Sequence, residues 1–166
     1  MNTLDEQHMR LAVTTANDAR LRSRPNPWVG AVVVSPSGEV FTGATLESGN
    51  AHAEVVALSA AGKNAVGATL YSTLEPCSHT GRTGPCTTAI IESGISRVVV
   101  GTLDPDTQVS GSGVQQLRNA GLAVDVGVLE HEVRVQLAPY LHHRATGRPF
   151  VVLKMASTID GRIAAA

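Results

Sequence analysis

Short runs of β-branched residues, separated by helical segments, constrain the fold of this chain more than any other feature. WVGAVVVS (28–35) and SRVVVGTL (96–103) are continuous apolar runs, which are typical of strands buried on both faces of a sheet. The turn Pro36-Ser37-Gly38 and a returning strand at 39–47 predict a hairpin. Further strands are predicted at 68–74 and 122–129, and helices at 4–22, 52–61, 86–94, 114–121 and 130–145, the last with a break near Pro139. This order predicts an α/β fold, a three-layer α/β/α sandwich with a central mixed sheet of about five strands.

Composition limits where the chain works and what it binds. Its 166 residues are 43% hydrophobic but only 3% aromatic, so the core must be built from aliphatic side chains. With 13 basic and 14 acidic residues, the net charge of −1 argues against a nucleic-acid or membrane-surface binder. The polar start MNTLDEQHMR lacks the apolar core of a signal peptide, which predicts a cytoplasmic protein. In that reducing compartment two cysteines are more often thiols or metal ligands than a disulfide.

The last part of the chain does not fit the pattern of the rest. We predict one domain over residues 1–145 and a separate segment over 146–166. In that segment TGRP is typical of a linker, FVVLKMAS (150–157) of a strand and TIDGR of a turn. Because an apolar strand without a neighbour favours association, we expect a homo-oligomer.

Two motifs that could carry chemistry lie at strand-to-helix junctions. His52-Ala53-Glu54 opens one predicted helix, Cys77 follows a buried strand, and Cys86 opens the next helix. Ligands of open α/β sheets gather where strands end, so these side chains are expected to converge. One histidine and two thiolates leave the fourth position of Zn²⁺ open, which is typical of a catalytic site. Glu54, in the first helical turn, would take a proton from the water that zinc activates.

This arrangement resembles the H-x-E and P-C-x-x-C signature of the zinc nucleobase deaminases, the cytidine-deaminase-like superfamily. Here the cysteines lie nine positions apart instead of three. With that spacing, HAEV…TLEPCSHTGRTGPC (52–86) resembles the deaminase domain of the bifunctional riboflavin-biosynthesis deaminase/reductase family. The other matching stretches are PNPWVGAVVV (25–34), GISRVVVGTLDPD (94–106) and GSGVQQLRNAGLAV (111–124). The tail RPFVVLKMASTIDGR (148–162) resembles the opening of that family's reductase domain, which is otherwise absent.

The resemblance implies a substrate and a role for each matching residue. Members of the family deaminate a phosphoribosylated pyrimidine, 2,5-diamino-6-ribosylamino-4(3H)-pyrimidinone 5′-phosphate, with Zn²⁺ as cofactor. The metal ligands would be His52, Cys77 and Cys86, and Glu54 would shuttle protons. The substrate would be bound by Asn26, His79, Arg82 and Asp104.

Two departures from the family pattern keep other functions open. Thr45 stands where many relatives have a histidine, and Asp106 stands where many have an asparagine. The chain could instead deaminate another amino-substituted nucleobase, a nucleoside or a tRNA adenosine, or be a non-catalytic zinc-stabilised scaffold. Asn26 could simply stabilise its Pro-Asn-Pro turn, and His79 and Arg82 could be ordinary loop residues. A general base in H-x-E favours the enzyme, because a structural zinc site has no need of one.

Overall fold

The secondary structure follows the alternation expected from the sequence. The structure is a computed structural model that describes residues 3–106 and 110–163, and in these ranges it contains six α-helices and five strands. The helices are α1 (Thr3–Ala16), α2 (Ala53–Ala61), α3 (Cys86–Glu92), α4 (Ser112–Asn119), α5 (Glu130–Gln136) and α6 (Ala138–Thr146). The strands are β1 (Gly30–Val34), β2 (Val40–Ala44), β3 (Thr69–Leu74), β4 (Arg97–Thr102) and β5 (Ala123–Val126).

The strands form one mixed sheet in the order β2-β1-β3-β4-β5. β1 is antiparallel to both β2 and β3, whereas β3, β4 and β5 run parallel. In this register the beginning of β1 lies beside the ends of β2 and β3, since Gly30 pairs with Ala44 and Ala31 with Ser72. The segments that precede β1 and follow β2, β3 and β4 therefore meet at one edge of the sheet.

Helices cover both faces of the sheet, so the predicted three-layer α/β/α sandwich is confirmed. α1 and α5 pack against one face, and α2, α3 and α4 lie together on the other. The core is aliphatic, as expected from the composition. Its fully buried side chains include Met9, Val32, Val33, Leu70, Ile90, Val98, Val99, Val100 and Leu117. Among the described residues, no helix has the length and apolar character needed to cross a bilayer.

A close approach between α2 and the sheet depends on Gly43 in β2. A Cβ atom at this position would overlap the carbonyl oxygen of Ala53 and the backbone nitrogen of Ala57. Only a residue without a side chain lets the helix backbone come this near to the strand. This contact fixes the first turn of α2, which carries the H-x-E motif.

An ion-pair network fastens α1 to the opposite end of the sheet. Arg97, the first residue of β4, donates two hydrogen bonds to the Asp5 carboxylate at 2.8 and 2.9 Å. Asp5 also accepts from the Tyr71 hydroxyl at 2.8 Å, and Arg97 contacts Asp125 on β5. The hydrogen bond from Arg97 holds the pKa of Asp5 below its ordinary value, although burial opposes the shift.

The helix boundaries differ most from the predictions in α1 and in the segment 130–145. The predicted helix 4–22 ends at Ala16, and a short 3-10 turn over Asn17–Ala19 continues it. The predicted helix 130–145 is two helices that meet at Leu137, two residues before Pro139, so the expected break is confirmed.

The predicted strand at 150–157 is wrong for this chain. These residues have no regular structure, and their apolar side chains are exposed, with Val151 at 80% and Leu153 at 81%. A strand needs a neighbour that satisfies its N–H and C=O groups, and this segment pairs with neither edge of the sheet. The expected turn after it is present, because the Thr158 nitrogen donates to the Arg162 carbonyl at 2.9 Å.

Candidate metal centre and active site

The four chemically active residues lie at the edge of the sheet where the loop segments meet. His52 is the N-cap residue of α2, and Glu54 lies in its first turn. Cys77 follows β3 after Glu75-Pro76, and Cys86 is the first residue of α3. A backbone hydrogen bond joins the two ends of the segment 77–86, which we call the cysteine segment. The Thr87 nitrogen donates to the Cys77 carbonyl at 3.1 Å.

The ligand atoms of His52, Cys77 and Cys86 form a compact cluster, as the sequence predicted. The three ligand atoms lie within 4.8 Å of one another. Among the described residues, these side chains are the group that could hold a metal ion. The His52 Nδ1 atom lies 3.6 Å from the Cys77 sulfur and 3.3 Å from the Cys86 sulfur. Tetrahedral zinc with Zn–S bonds of about 2.3 Å and Zn–N bonds of about 2.0 Å separates nitrogen and sulfur ligands by about 3.5 Å. The cluster therefore fits Zn²⁺.

The surroundings of the cluster favour the charged forms of two ligands. The hydrogen bond from the Cys86 thiol lowers the pKa of Cys77 to about 4, and His52 acts in the same direction. The hydrogen bond to Cys77 raises the pKa of His52, and the nearby charge of Glu54 adds to this effect. A thiolate at Cys77 and a neutral imidazole at His52 are the forms that bind a metal ion, so a bound cation would favour the first shift and oppose the second.

Glu54 has a buried oxygen that the described residues leave without a hydrogen bond. The side chain is only 3% exposed, and burial raises its pKa to about 7. Its Oε2 atom has no partner among the described residues. A buried carboxylate oxygen without a partner is costly to a folded protein, so such atoms point to a water or ligand that completes them. This orphaned oxygen is therefore consistent with a site that holds a metal ion and a water molecule.

A cavity of about 320 Å³ opens beside this cluster. It is lined by three of the predicted substrate-binding residues, Asn26, His79 and Asp104, together with His52, Glu54 and Cys77. Thr45 and Asp106, the two departures from the family pattern, also line it. Thr45 is nearly fully buried, and its hydroxyl contacts the Val29 backbone at 3.2 and 3.4 Å.

Arg82 belongs to a neighbouring cavity. This second cavity has a volume of about 210 Å³. Four residues line both cavities: Asn26, His52, Cys77 and His79. The Arg82 guanidinium is exposed and donates to the Ser48 hydroxyl at 2.9 Å. The structure thus brings Asn26, His79 and Asp104 to the first cavity, which also contains Glu54, and places Arg82 in the second.

Glu75 is a buried site residue that the sequence analysis missed. Its carboxylate is 4% exposed and lines the first cavity. It accepts hydrogen bonds from the backbone nitrogens of Asp104, Gly111, Gly113 and Val114. It therefore joins the strand that leads to Cys77 to the loop that carries Asp104. An acidic residue directly after a buried strand was the available signal.

α6 contributes two further lining residues that the sequence analysis did not single out. The Tyr140 hydroxyl donates to Asp104 Oδ2 at 2.9 Å, and Arg144 lies 3.3 Å from Asp106 Oδ2. Burial raises the pKa of Asp104, and the hydrogen bonds from Tyr140 and the Asp106 backbone oppose that shift. The spacing of four residues between Tyr140 and Arg144, within a predicted helix, was the only local signal for this pair.

Known proteins are similar to this chain in both sequence and fold. Riboflavin biosynthesis protein RibD of Aquifex aeolicus is 52% identical over 161 residues, which are 97% of this chain and 45% of the relative. Acinetobacter baumannii RibD has a TM-score of 0.90 at 42% identity, covering 98% of this chain and 46% of that chain. A Thermotoga maritima protein described as a diaminohydroxyphosphoribosylaminopyrimidine deaminase/5-amino-6-(5-phosphoribosylamino)uracil reductase has a TM-score of 0.90 at 47% identity, covering 96% and 46%.

The chain spans less than half the length of these relatives, and the aligned part contains the metal cluster. The family model for the cytidine and deoxycytidylate deaminase zinc-binding region matches residues 2–102, which include His52, Glu54, Cys77 and Cys86. The fold, the ligand cluster and this match agree. The chain belongs to the cytidine and deoxycytidylate deaminase zinc-binding family.

Proposed function

We propose that this chain is a zinc-dependent deaminase of 2,5-diamino-6-ribosylamino-4(3H)-pyrimidinone 5′-phosphate in riboflavin biosynthesis. The observation that carries the proposal is Glu54 Oε2, a buried oxygen without a partner in the described residues, in the wall of a cavity beside three metal ligands. A purely structural zinc site needs no such carboxylate. The names of the RibD relatives support a place in riboflavin biosynthesis, and the deaminase activity named for the Thermotoga maritima protein supports the phosphoribosylated diaminopyrimidine as substrate.

The chemistry divides between the ligands and Glu54. His52, Cys77 and Cys86 would hold Zn²⁺, which supplies Lewis acidity and makes a water molecule acidic enough to attack at neutral pH. Glu54 takes a proton from the attacking water and delivers it to the leaving nitrogen. One C–O bond forms and the C–N bond of the 2-amino group breaks, so water and the diaminopyrimidine become the uracil product and ammonia. The raised pKa of Glu54 suits a group that both accepts and donates a proton.

The remaining predicted residues would bind the substrate along the two adjoining cavities. Asn26 and Asp104 line the cavity next to Glu54 and can hydrogen-bond the pyrimidine or the ribose. His79 lines both cavities, and Arg82 lines the second one, where its guanidinium can meet the phosphate. In this arrangement the base lies against the metal site and the phosphate lies toward the cysteine loop.

The test is replacement of Glu54 by glutamine in the zinc-loaded protein. We expect the wild type to release ammonia from the ribotide and not from cytidine or cytosine. Glu54→Gln should keep one equivalent of zinc but lose at least about 100-fold in kcat, because a proton-transfer group is missing. Glu92→Gln on the surface of α3 is the matched control. Deamination that survives in Glu54→Gln contradicts the mechanism, and turnover of cytidine in place of the ribotide contradicts the substrate.

Three further expectations belong to this proposal. Residues 1–145 would form the deaminase domain, and 146–166 would lead toward a reductase domain of the kind named for the Thermotoga maritima relative. The two free thiols suit the reducing cytoplasm. The exposed apolar tail would be covered by another part of a homo-oligomer.

A further inference from the structure

We propose that α6 sets the charge and orientation of the acidic wall of the cavity, with Tyr140 and Arg144 acting as positioning residues for Asp104 and Asp106. The inference rests on the proposed function, because it concerns the binding of a phosphorylated substrate. It assigns to α6 a role in the preference for phosphorylated over unphosphorylated ligands.

The acidic wall consists of Asp104 and Asp106, which follow β4 and both line the cavity. The two residues share one loop conformation, because the Asp106 backbone nitrogen donates to Asp104 Oδ1 at 2.9 Å. Asp104 is 6% exposed, so its carboxylate has little contact with solvent. Two carboxylates on one loop therefore place negative charge in the wall of the cavity.

Tyr140 fixes the second oxygen of Asp104. Its hydroxyl donates to Asp104 Oδ2 at 2.9 Å, while Oδ1 accepts from the Asp106 nitrogen. With one donor on each oxygen, the plane of the carboxylate is set before the substrate arrives. A group oriented in advance loses less free energy when it binds its ligand.

Arg144 balances the charge of Asp106. Its Nη1 atom lies 3.3 Å from Asp106 Oδ2, and its guanidinium lies 5.4 Å from the centre of the Tyr140 ring. The two α6 residues are one helical turn apart and lie on one face of the helix. Arg144 lines the same cavity and therefore offsets one of the two negative charges of the wall.

This charge balance matters most for an anionic ligand. A phosphate ester carries nearly two negative charges at neutral pH. Without Arg144, the wall would have one more uncompensated negative charge and would repel such a ligand, whereas an uncharged ligand would be little affected. The effect is moderate, since the Arg144 and Asp106 side chains are 42% and 21% exposed and solvent screens the pair.

The first experiment measures binding in the absence of turnover. Ribose 5-phosphate and ribose are titrated into the zinc-loaded protein and followed by NMR, for the wild type, Arg144→Gln, Arg144→Lys and Arg144→Gln/Asp106→Asn. We expect Arg144→Gln to raise the Kd of ribose 5-phosphate about fivefold at low salt and that of ribose less than about twofold. Arg144→Lys and the double variant should return to within about twofold of the wild type, and added NaCl should shrink the difference.

Arg10→Gln is the matched control, because it removes an exposed ion pair with Glu132 at 2.9 Å on the far helix α1. An equal change of Kd for ribose and ribose 5-phosphate overturns the charge argument. The charge argument also fails if the double variant Arg144→Gln/Asp106→Asn folds but keeps the raised Kd of Arg144→Gln for ribose 5-phosphate. A wild type that does not prefer ribose 5-phosphate over ribose overturns the inference as well.

The second experiment separates positioning from packing at Tyr140. Tyr140→Phe should lower kcat/KM for the ribotide about tenfold, the cost of about one lost hydrogen bond to a charged group. In the Asp104→Asn background the same change should cost less than about twofold. Equal losses in both backgrounds would assign Tyr140 a packing role and overturn this part. If the wild type releases no ammonia from the ribotide, the proposed function fails, while the titration with ribose 5-phosphate still decides the inference.

Discussion

Glu75→Gln should destabilise the fold more than any other single isosteric change of a carboxylate at this site. The carboxylate accepts four backbone hydrogen bonds, from Gly113 and Val114 at 3.0 and 3.1 Å on Oε1 and from Gly111 and Asp104 at 2.9 and 3.3 Å on Oε2. A glutamine amide keeps only one accepting oxygen. At least two of the four N–H groups would then face an NH₂ group that is itself a donor.

The magnitude follows from the number of hydrogen bonds lost. Each hydrogen bond to a charged group contributes about 1.5–3 kcal/mol, and two are lost here. Some relaxation of the loop reduces the sum, so the free energy of unfolding should fall by about 3–5 kcal/mol. A domain of this size is stable by roughly 5–15 kcal/mol in total, so the variant should be close to the limit of folding.

Urea unfolding of the zinc-saturated protein at pH 7 measures this loss, with Glu92→Gln as a surface control. Hydrogen exchange locates it, because the amides of one pair, either Gly113 and Val114 or Gly111 and Asp104, should exchange faster in Glu75→Gln before the core strands do. A loss below about 1 kcal/mol would refute the reasoning, given the strength assigned to each bond. A larger loss without faster exchange at either pair of amides would show that Glu75 stabilises the fold in some other way.

Two further predictions concern the elements that hold the site in place. Gly43→Ala should push α2 away from β2, lower the unfolding free energy by about 2–3 kcal/mol and weaken zinc binding in a chelator competition, whereas Gly84→Ala, where a Cβ has open space, should change neither. Asp5→Asn should lower the unfolding free energy at pH 7 by about 1–2 kcal/mol, because Arg97 loses one of its two charged partners and keeps Asp125. Since the pKa of Asp5 is lowered in the folded state, its stabilisation is present above the ordinary value of 3.8 and is lost as the pH falls through the lower folded pKa. The difference in unfolding free energy between wild type and Asp5→Asn, measured with urea, should therefore shrink as the pH falls below 3.8. A difference that stays constant would contradict the assignment of this stabilisation to the Asp5 carboxylate.

The order of the elements and the metal cluster could be predicted because their signals are local. The β-branched runs around Val32 and Val99 mark strands that are buried on both faces, and the structure places both valines in the core. His52, Cys77 and Cys86 each lie at a strand-to-helix junction. In a sheet of this topology these junctions converge, so the cluster follows from the positions alone.

The contacts that shape the cavity beside the metal cluster could not be predicted, because they join distant parts of the chain. Glu75 accepts from backbone groups up to 39 residues away, and Tyr140 meets Asp104 across 36 residues. Neither pairing leaves a pattern in the sequence near the residues involved. The predicted strand at 150–157 failed for the opposite reason. Its local pattern favours a strand, but a strand also depends on a neighbour that the pattern does not describe.

The closure of the cysteine segment separates the chemistry of this protein from its selectivity. The segment 78–85 is held at both ends, by the metal ligands and by the backbone contact from Thr87 to Cys77. With its ends fixed, doubling the length of such a loop costs only about 0.6 kcal/mol in closure entropy. The length of this segment can therefore change at little cost while the ligands at its two ends stay in place. His79 and Arg82 lie in this segment and line the cavities, so we expect insertions here to alter what the cavities bind before they alter the metal cluster.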